Sequence, residues 1–236
     1  MRCPRVLVAA VFAAAAAVPV SVQAQALTDH FDTYTAGSPI AGQGGWETWD
    51  NAPAANANVV NNQSFTTPNS LRVSGAADIV HQFTGVNSGI WYVRVQTFVP
   101  STSTGELFFI LLNQYAPLGP NNNWSVQLAL CRAGCTTAGA VAGFAANIGG
   151  SDVPGLAVAP LVLDQWVEAR VEINFGANTY SIFYNHQLME TLPWTQTGTL
   201  QLQAVDLFSN NINEGYMDSF HLNTVLPVDL TTFKVE

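Results

Sequence analysis

The stretch Leu163–Met189, LDQWVEARVEINFGANTYSIFYNHQLM, decides the fold of this chain. From Trp166 to Phe175 its side chains alternate between two faces without a break. One face takes Val167, Ala169, Val171, Ile173 and Phe175, and the other takes Trp166, Glu168, Arg170, Glu172 and Asn174. A period of two residues predicts a β-strand with one buried face and one wetter face.

The residues after this strand predict a hairpin. Gly176-Ala177-Asn178 supplies residues that tolerate a positive φ, as a tight reversal needs. Thr179–Tyr184 is rich in β-branched and aromatic residues, which predicts the returning strand. A second turn at Asn185-His186 then leads into a third strand that begins at Leu188.

The rest of the chain predicts an all-β domain. Short apolar runs are separated by Asn, Gly, Thr and Ser, and no stretch has the apolar spacing of a helix. Glu106–Tyr115 is nearly all apolar, which predicts a central strand covered on both faces, and Ala133–Ala146 predicts a loop or short strand. The other predicted strands are His30–Tyr34, Val59–Val60, Ser70–Val73, Ile79–Phe83, Ile90–Val99, Trp124–Leu130, Leu156–Leu163, Thr199–Phe208 and Tyr216–Leu222. About a dozen strands with hairpin-length breaks indicate a two-sheet antiparallel β-sandwich, a jelly roll.

Two resemblances to known proteins agree with this fold. The strand that carries Trp166, the Asn-containing turn and the run Ile-Phe-Tyr-Asn-x-x-Leu at Ile182–Leu188 resemble the hairpin of concanavalin A-like lectin/glucanase and laminin G-like sandwiches. More broadly, the segments from FDTYTAGSPIAGQGGWETWDN to YMDSFHL look like a group of uncharacterised exported bacterial sandwich proteins. Together the resemblances imply a concanavalin A-like jelly roll and export, and they bring no catalytic assignment.

The N-terminus predicts export. Arg2 and Arg5 precede an apolar run at Val6–Val18, and small residues near Ala26 offer a cleavage site, so Met1–Ala26 is typical of a secretory signal peptide. The apolar run is shorter than the roughly 20 residues that a membrane span needs. We therefore expect a secreted or periplasmic β-sandwich over residues 27–224 without a transmembrane segment. We expect residues 225–236, which include LPVDLTTFKVE, to be a C-terminal extension or an edge strand.

Charge restricts the class of partner. The chain has 7 Lys+Arg and 16 Asp+Glu, and loss of Arg2 and Arg5 with the signal peptide leaves 5 against 16, a net charge of −11. A basic footprint for nucleic acid is absent, and long-range repulsion argues against a polyanionic substrate. A neutral glycan, a cation or a cell-surface partner suits this surface better.

The two cysteines outside the signal peptide predict a disulfide. Cys131 and Cys135, in the sequence CRAGC, form an even and closely spaced pair in an exported chain. A zinc site would need a second group of Cys or His ligands at regular spacing, and the sequence has no such group. We expect that no cofactor is required.

One candidate for catalysis is a carboxylate pair. Glu168 and Glu172 share a face, but four residues of strand separate them by about 13 Å, beyond the roughly 5–9.5 Å of glycosidase pairs. Arg170 lies between them, so we expect an exposed ladder of ion pairs. The Glu-x-Asp-x-x-Glu motif that a sandwich glucanase would imply is absent.

A second candidate resembles the site of sandwich polysaccharide lyases. Tyr92, Arg94 and Gln96 project together from Ile90–Val99, and His81 with Gln127 would complete the set from neighbouring strands. In such lyases Arg or Gln neutralises a uronate carboxylate, and His or Tyr abstracts the proton. The Gln-Ile-His and Tyr-Lys-x-Gly signatures of that family are absent.

An aromatic loop provides the binding hypothesis. Trp46, Trp49 and Asp50 lie in GQGGWETWDN, where an indole could stack on a sugar ring and the polar groups could bind its hydroxyls, and Trp124 is a further candidate. Burial of at least one of the two loop tryptophans in the core is the favoured alternative, because Trp is usually well buried.

A structural calcium ion is the remaining ligand hypothesis. Asp32 falls in the predicted first strand and Asp218 in the last, and the terminal strands of a sandwich commonly lie side by side. Two carboxylates and backbone carbonyls would supply the oxygen ligands that calcium prefers. His30 and His221 hold nearly equivalent places, so we expect them to be cross-strand neighbours.

Three functions remain open on the sequence. The leading hypothesis is a secreted, non-catalytic protein that binds a carbohydrate or a cell surface. The alternative is a polysaccharide-degrading enzyme, a lyase or glycoside hydrolase, with its site on the concave sheet. A purely structural envelope or matrix protein is the third hypothesis.

Overall fold

The computed structural model describes residues 26–135, 138–148, 151–196 and 198–225, and the side chains of residues 143–148 and 151–157 are left aside. Residues 1–25 of the predicted signal peptide and residues 226–236 of the predicted C-terminal extension lie outside the described residues. Within the described ranges no helix has the length and apolar character of a membrane span.

The described residues form two antiparallel sheets that pack face to face as a β-sandwich. In chain order the strands are β1 (Leu27–Asp29), β2 (Trp46–Thr48), β3 (Asn58–Val60), β4 (Ser70–Arg72), β5 (Asp78–Gln82), β6 (Ile90–Phe98), β7 (Gly105–Gln114), β8 (Asn123–Ala133), β9 (Ala140–Ile148), β10 (Ser151–Pro160), β11 (Trp166–Asn174), β12 (Thr179–Tyr184), β13 (Gln187–Pro193), β14 (Ala204–Asn210) and β15 (Tyr216–Asn223). The first sheet has the order β13-β12-β11-β6-β15-β4-β3, with β1 paired to β15. The second sheet has the order β10-β9-β8-β7-β14-β5-β2. The prediction of an all-β, two-sheet sandwich is confirmed.

The opening hairpin has the predicted faces. Strand β11 pairs with β12 and with β6, and the register sets Val171 opposite Val93. Val171 and Ile173 are fully buried in the main core between the sheets. This burial is what the alternation of the sequence requires, because a shift of one residue would turn the apolar set towards water.

The hairpin turns use the predicted residues. Asn178 has a φ of 51°, and the carboxamide oxygen of Asn174 accepts a hydrogen bond from the amide of Ala177 at 3.0 Å. In the second turn Asn185 and His186 both have positive φ, 49° and 61°. Two consecutive residues with positive φ define the reversal that matches the twist of paired strands.

Strand β7 is apolar on both faces and lies in the middle of the second sheet, as predicted. Leu107, Phe109 and Leu111 point into the main core. On the other side Ile110 and Leu112 belong to a smaller apolar cluster on the outer face of the second sheet. We call this second group the outer cluster; it comprises Val80, Ile110, Leu112, Tyr115 and Ala204, with Trp49, Phe108, Trp124 and Phe208 packed against it.

The start of the chain differs from the prediction. The first strand is Leu27–Asp29, whereas His30–Tyr34 forms a turn in which Phe31 has a φ of 60°. The turn is stabilised because the Asp29 carboxylate accepts a hydrogen bond from the amide of Phe31 at 2.8 Å. The terminal strands do lie side by side, with Thr28 opposite His221.

Two further expectations are confirmed. His30 and His221 are neighbours, with rings 5.2 Å apart, although His30 follows the end of β1 and Thr28 is the residue paired with His221. Cys131, in β8, forms a disulfide with Cys135 across a Cα–Cα distance of 6.2 Å. The region read as loop or short strand contains β9, Ala140–Ile148, which pairs with β8 and β10.

Candidate functional site

Three of the four predicted ligand-binding residues come together on the outer face of the second sheet. Trp49 and Trp124 line a cleft of about 590 Å³, and Asp50 belongs to the 3₁₀ turn beside it. We call it the Trp49–Trp124 cleft. Its lining residues are Trp49, Asp78, Ile110, Gly119, Pro120, Asn122, Trp124, Gln127, Asp206 and Phe208.

The floor of the cleft is built by four adjacent strands. The register sets Asp206 of β14 opposite Ile110 of β7, and Ile110 opposite Gln127 of β8. On the other side of β14, Phe208 lies opposite Asp78 of β5. Because side chains alternate along a strand, these residues face outwards while their sequence neighbours fill the main core.

The aromatic wall of the cleft is a stack of indoles. The rings of Trp49 and Trp124 have centroids 5.8 Å apart and planes inclined by 13°. Trp49 also contacts Tyr115, with ring centroids 4.9 Å apart. Both tryptophans are half-buried, so part of each indole remains available to a ligand.

The wall is held in place by Asp50. Its Oδ1 accepts a hydrogen bond from the amide of Leu118 at 2.7 Å, and its own amide donates to the hydroxyl of Tyr115 at 3.4 Å. Asn122 closes the same loop, because its Oδ1 accepts a hydrogen bond from the amide of Ala116 at 2.9 Å. Asp50 therefore positions the rim of the cleft, which refines the sequence-based expectation that it binds hydroxyls.

The polar centre of the cleft is a pair of carboxyls that sequence reasoning missed. Asp78 and Asp206 lie close enough for each to shift the pKa of the other, and Oδ1 of each is buried without a hydrogen-bond partner among the described residues. Asp206 is only 3% exposed. The two residues are far apart in the chain, and the one available signal is the acidic residue inside the apolar run AVDLF.

Burial changes the protonation of this pair. Loss of solvent, together with the charge of Asp50, raises the pKa of Asp78 to about 6. Loss of solvent and then the neighbouring Asp78 raise the pKa of Asp206 well above its ordinary value. Two adjacent carboxyls cannot both ionise cheaply, so the pair shares one proton near neutral pH.

Trp46, the fourth predicted ligand-binding residue, lies in the main core. Its side chain is 0% exposed, and its Nε1 donates a hydrogen bond to Oδ2 of Asp29 at 2.9 Å. It packs against the rings of Phe31 and Phe220. The ligand-binding expectation for Trp46 is therefore corrected: one of the two loop tryptophans is part of the core.

The predicted lyase set is divided between the sheets. Tyr92, Arg94 and Gln96 lie on β6 of the first sheet, whereas His81 and Gln127 belong to the second sheet. Nε2 of His81 lies 3.1 Å from the carbonyl oxygen of Gly44, and burial lowers the pKa of the imidazole. The expectation that these residues meet on neighbouring strands is wrong. Alternation in the sequence shows which face of its own strand a side chain takes, but it does not show which sheet that strand joins.

Arg94 instead belongs to a ladder of ion pairs on the outer face of the first sheet. Its Nη1 lies 3.1 Å from Oε2 of Glu168. Arg170 bridges Glu168 and Glu172, with a distance of 3.2 Å to each. The predicted ladder is present, but Glu168 is only 4% exposed, so this part of the ladder is buried.

Asp32 and Asp218, the two residues predicted to bind calcium, accept hydrogen bonds from loop residues. Both oxygens of Asp218 accept hydrogen bonds, from the amides of Phe65, Thr66 and Ser219 and from the Thr66 hydroxyl. Burial raises the pKa of Asp218 to about 6 even though these hydrogen bonds lower it. Oδ1 of Asp32 accepts from the amide of Asn69 at 2.9 Å. Calcium binding stays a prediction, and neither aspartate joins a cluster of three metal-ligating side chains within the described residues.

Comparisons with known proteins show the fold and no family. No protein-family model matches the sequence, and no curated protein matches it. The globular domain of T. cruzi calreticulin is similar in structure, with a TM-score of 0.61 at 9% identity, over 86% of this chain and 89% of that one. An endo-β-1,4-glucuronan lyase from the fungus Trichoderma reesei gives a TM-score of 0.53 at 8% identity, over 84% and 95%. A sialidase gives 0.56 at 10% identity, over 84% of this chain and 18% of the sialidase.

Proposed function

We propose that this chain is an exported, concanavalin A-like β-sandwich that binds a carbohydrate, without chemistry, in the Trp49–Trp124 cleft. The observation that carries the proposal is a pair of nearly parallel indoles above a floor of polar groups. A sugar ring has apolar C–H faces that an indole can cover, and hydroxyls that carboxyl and amide groups can bind. The Asp78–Asp206 pair supplies such groups.

The charged groups around the cleft favour the binding of a sugar that carries no carboxylate. Four arginines lie in the described part of the chain, and none of them lines the cleft. Arg94 and Arg170 are bound to glutamates on the first sheet, Arg72 donates to the carbonyl of Asn213, and Arg132 donates to the carbonyl of Ser101. A uronate would therefore meet acidic groups without a neutralising cation, which is unfavourable.

The protonation of the carboxyl pair supports binding over hydrolysis. Asp78 and Asp206 are diagonal neighbours on adjacent strands and share one proton, whereas glycosidases hold two carboxyls with separate roles about 5–9.5 Å apart. Export is supported by the Cys131–Cys135 disulfide and by the predicted signal peptide.

The proposal is tested with residues 27–236 on a glycan array, followed by calorimetric titration of the hits. Trp49→Ala and Trp124→Ala are each expected to weaken binding at least tenfold, about 1.4 kcal/mol, because each removes one indole face. Trp166→Ala is the matched control, since Trp166 is a half-buried tryptophan on the outer face of the other sheet.

The readings separate binding from folding and from catalysis. Melting temperatures within a few degrees of the parent are expected for the two cleft variants, because both side chains are half-buried. Unchanged affinity in both variants would contradict the proposal. A reducing-end assay on the bound glycans would reveal hydrolase action, and an ultraviolet assay would reveal lyase action. If product forms and Asp206→Asn abolishes its formation, the protein is an enzyme and the proposal of binding without chemistry is wrong.

A further inference from the structure

The buried oxygens of the Asp78–Asp206 pair restrict what the cleft can hold. Oδ1 of Asp78 and Oδ1 of Asp206 have no hydrogen-bond partner among the described residues, and both residues line the cleft. Leaving a buried acceptor unsatisfied is unfavourable. Both atoms are acceptors, so the ligand group that complements them is a donor with at least two hydrogens.

The groups that face this pair are acidic or neutral. The 3₁₀ turn contributes Asp50, and β2 contributes Glu47, which accepts a hydrogen bond from Gln82 at 3.0 Å. Glu106, at the start of β7, lies outside the cleft lining beside the Cys131–Cys135 disulfide and accepts a hydrogen bond from Nδ2 of Asn210 at 2.8 Å. Tyr115 stays neutral, because burial raises its pKa to about 12. The potential in the cleft is therefore negative, which favours a cation.

The aromatic wall favours an organic cation over a metal ion. Trp49, Trp124 and Tyr115 form one contiguous group of rings beside the carboxyl pair. Indole faces attract an ammonium group and also cover the apolar face of a ring. Calcium prefers six or more oxygen ligands, and the cleft contributes no cluster of three ligating side chains within the described residues.

We propose that the sugar bound in the Trp49–Trp124 cleft is an amino sugar, whose protonated primary amine binds between Asp78 and Asp206. The inference rests on the proposed carbohydrate-binding function and names its ligand class: a glycan of glucosamine units with free amines. An ammonium group has three N–H donors, which satisfy the two buried oxygens. The indoles cover the ring that carries the amine.

Binding of the amine is coupled to loss of a proton. In the free protein the pair shares one proton, and the ammonium group favours ionisation of both carboxyls. The carboxyl O–H then breaks, its electron pair stays on the carboxylate, and one proton passes to the solvent for each amine bound. Affinity is expected to rise with pH as the pair loses its protons, first through the pKa of Asp78, about 6, and then towards the higher pKa of Asp206, and to fall where the sugar amine loses its own proton.

The test is calorimetric titration at pH 7 with three oligosaccharides of equal length: glucosamine, N-acetylglucosamine and glucose oligomers. Glucosamine oligomers are expected to bind at least tenfold more tightly than the other two, with close to one proton released in buffers of different ionisation enthalpy. Asp206→Asn is expected to abolish the preference and the proton release, because it leaves one carboxylate and no shared proton. Asp164→Asn is the matched control, with the same change in charge at an exposed site outside the cleft lining.

Each outcome decides between the two proposals. Equal binding of all three oligomers, lost in Trp49→Ala, overturns the amino-sugar inference and leaves the carbohydrate-binding function standing. Binding of none of the oligomers, together with a blank glycan array, overturns both. If the protein binds calcium, loses that binding in Asp206→Asn and shows no preference for glucosamine oligomers, the amino-sugar inference is wrong. The Asp78–Asp206 pair is then a metal-binding site.

Discussion

At the scale of single residues, Trp46 and Trp49 stand three positions apart and serve different parts of the molecule. Trp46 lies in β2, whose alternation turns it into the main core, where Asp29 satisfies its indole nitrogen. The strand then ends, and the 3₁₀ turn carries Trp49 to the outer face. Asp50 has a φ of 51° in this turn. An offset of three residues thus places the two tryptophans on opposite faces, because side chains alternate along a strand.

The Asp78–Asp206 pair also makes the stability of the folded protein depend on pH. The pKa of Asp78 is raised from 3.8 to about 6, and that of Asp206 is also raised. The folded state therefore binds more protons than the unfolded state from about pH 4 through the pKa of Asp78, about 6, and on towards the higher pKa of Asp206, and stability falls as the pH rises through this window. Two pKa units correspond to about 2.7 kcal/mol, and partial exposure of Asp78 reduces this to about 1–2 kcal/mol.

Asp206→Asn is expected to weaken this dependence, because it removes the proton that Asp206 keeps, whereas burial still raises the pKa of Asp78 in the variant. Urea denaturation at pH 4.5, 6 and 7.5 should show the parent losing more stability than the variant across the range, because only the parent loses the proton of Asp206. Asp218, whose pKa is also raised to about 6, contributes equally to both proteins and cancels. Parallel pH profiles of the two proteins would show that the carboxyl pair does not share a proton.

At the scale of elements, the β11–β12–β13 hairpins show why alternation was sufficient to predict the strands. Alternation places Val171 and Ile173 on one face of β11. Only one register of β11 against its neighbouring strands buries that face, because a shift of one residue would expose it. The turns follow from residues that tolerate positive φ, such as Asn178 and Asn185. The first strand was misplaced because Phe31, an apolar residue with a φ of 60°, is buried by a turn that Asp29 stabilises.

The second hairpin turn provides a test at this scale. His186 has a φ of 61° and its side chain is 69% exposed. A left-handed conformation costs a residue with a Cβ about 1–2 kcal/mol, and glycine avoids that cost but has more chain entropy to lose. His186→Gly is expected to raise the free energy of unfolding by about 0.5–1 kcal/mol, measured by urea denaturation.

The matched control is His186→Ala. It removes the imidazole, which lies 3.7 Å from Glu168, but keeps a Cβ at the same φ. If the glycine and alanine variants have the same stability, the backbone conformation of this turn contributes nothing measurable. A gain confined to the glycine variant would show that the turn carries strain.

At the scale of the whole molecule, the sequence could not assign strands to sheets. Periodicity shows that His81 and Arg94 lie in strands, but their partners are set by pairing between distant segments, such as β5 with β14. The cleft depends on that pairing, since it brings Asp78 beside Asp206. The aromatic residues were predictable because tryptophans in a glycine-rich loop are conspicuous, whereas the carboxyl pair exists only once β5 and β14 are adjacent.

The net charge of the molecule makes a final prediction about association. Without residues 1–26 the chain carries a net charge of −11, and Glu47 and Asp50 add their charge near the carboxyl pair. Such a field attracts a cationic sugar over a distance that shrinks from about 30 Å at 0.01 M salt to about 3 Å at 1 M. The association rate of a glucosamine oligomer, followed by stopped-flow tryptophan fluorescence, should fall about tenfold over this range.

A glucose oligomer is the control, because it carries no charge on which the field can act. Its association rate should change less than about twofold over the same range of salt. Equal salt dependence of the two oligomers would show that the acidic field plays no part in bringing the ligand to the cleft.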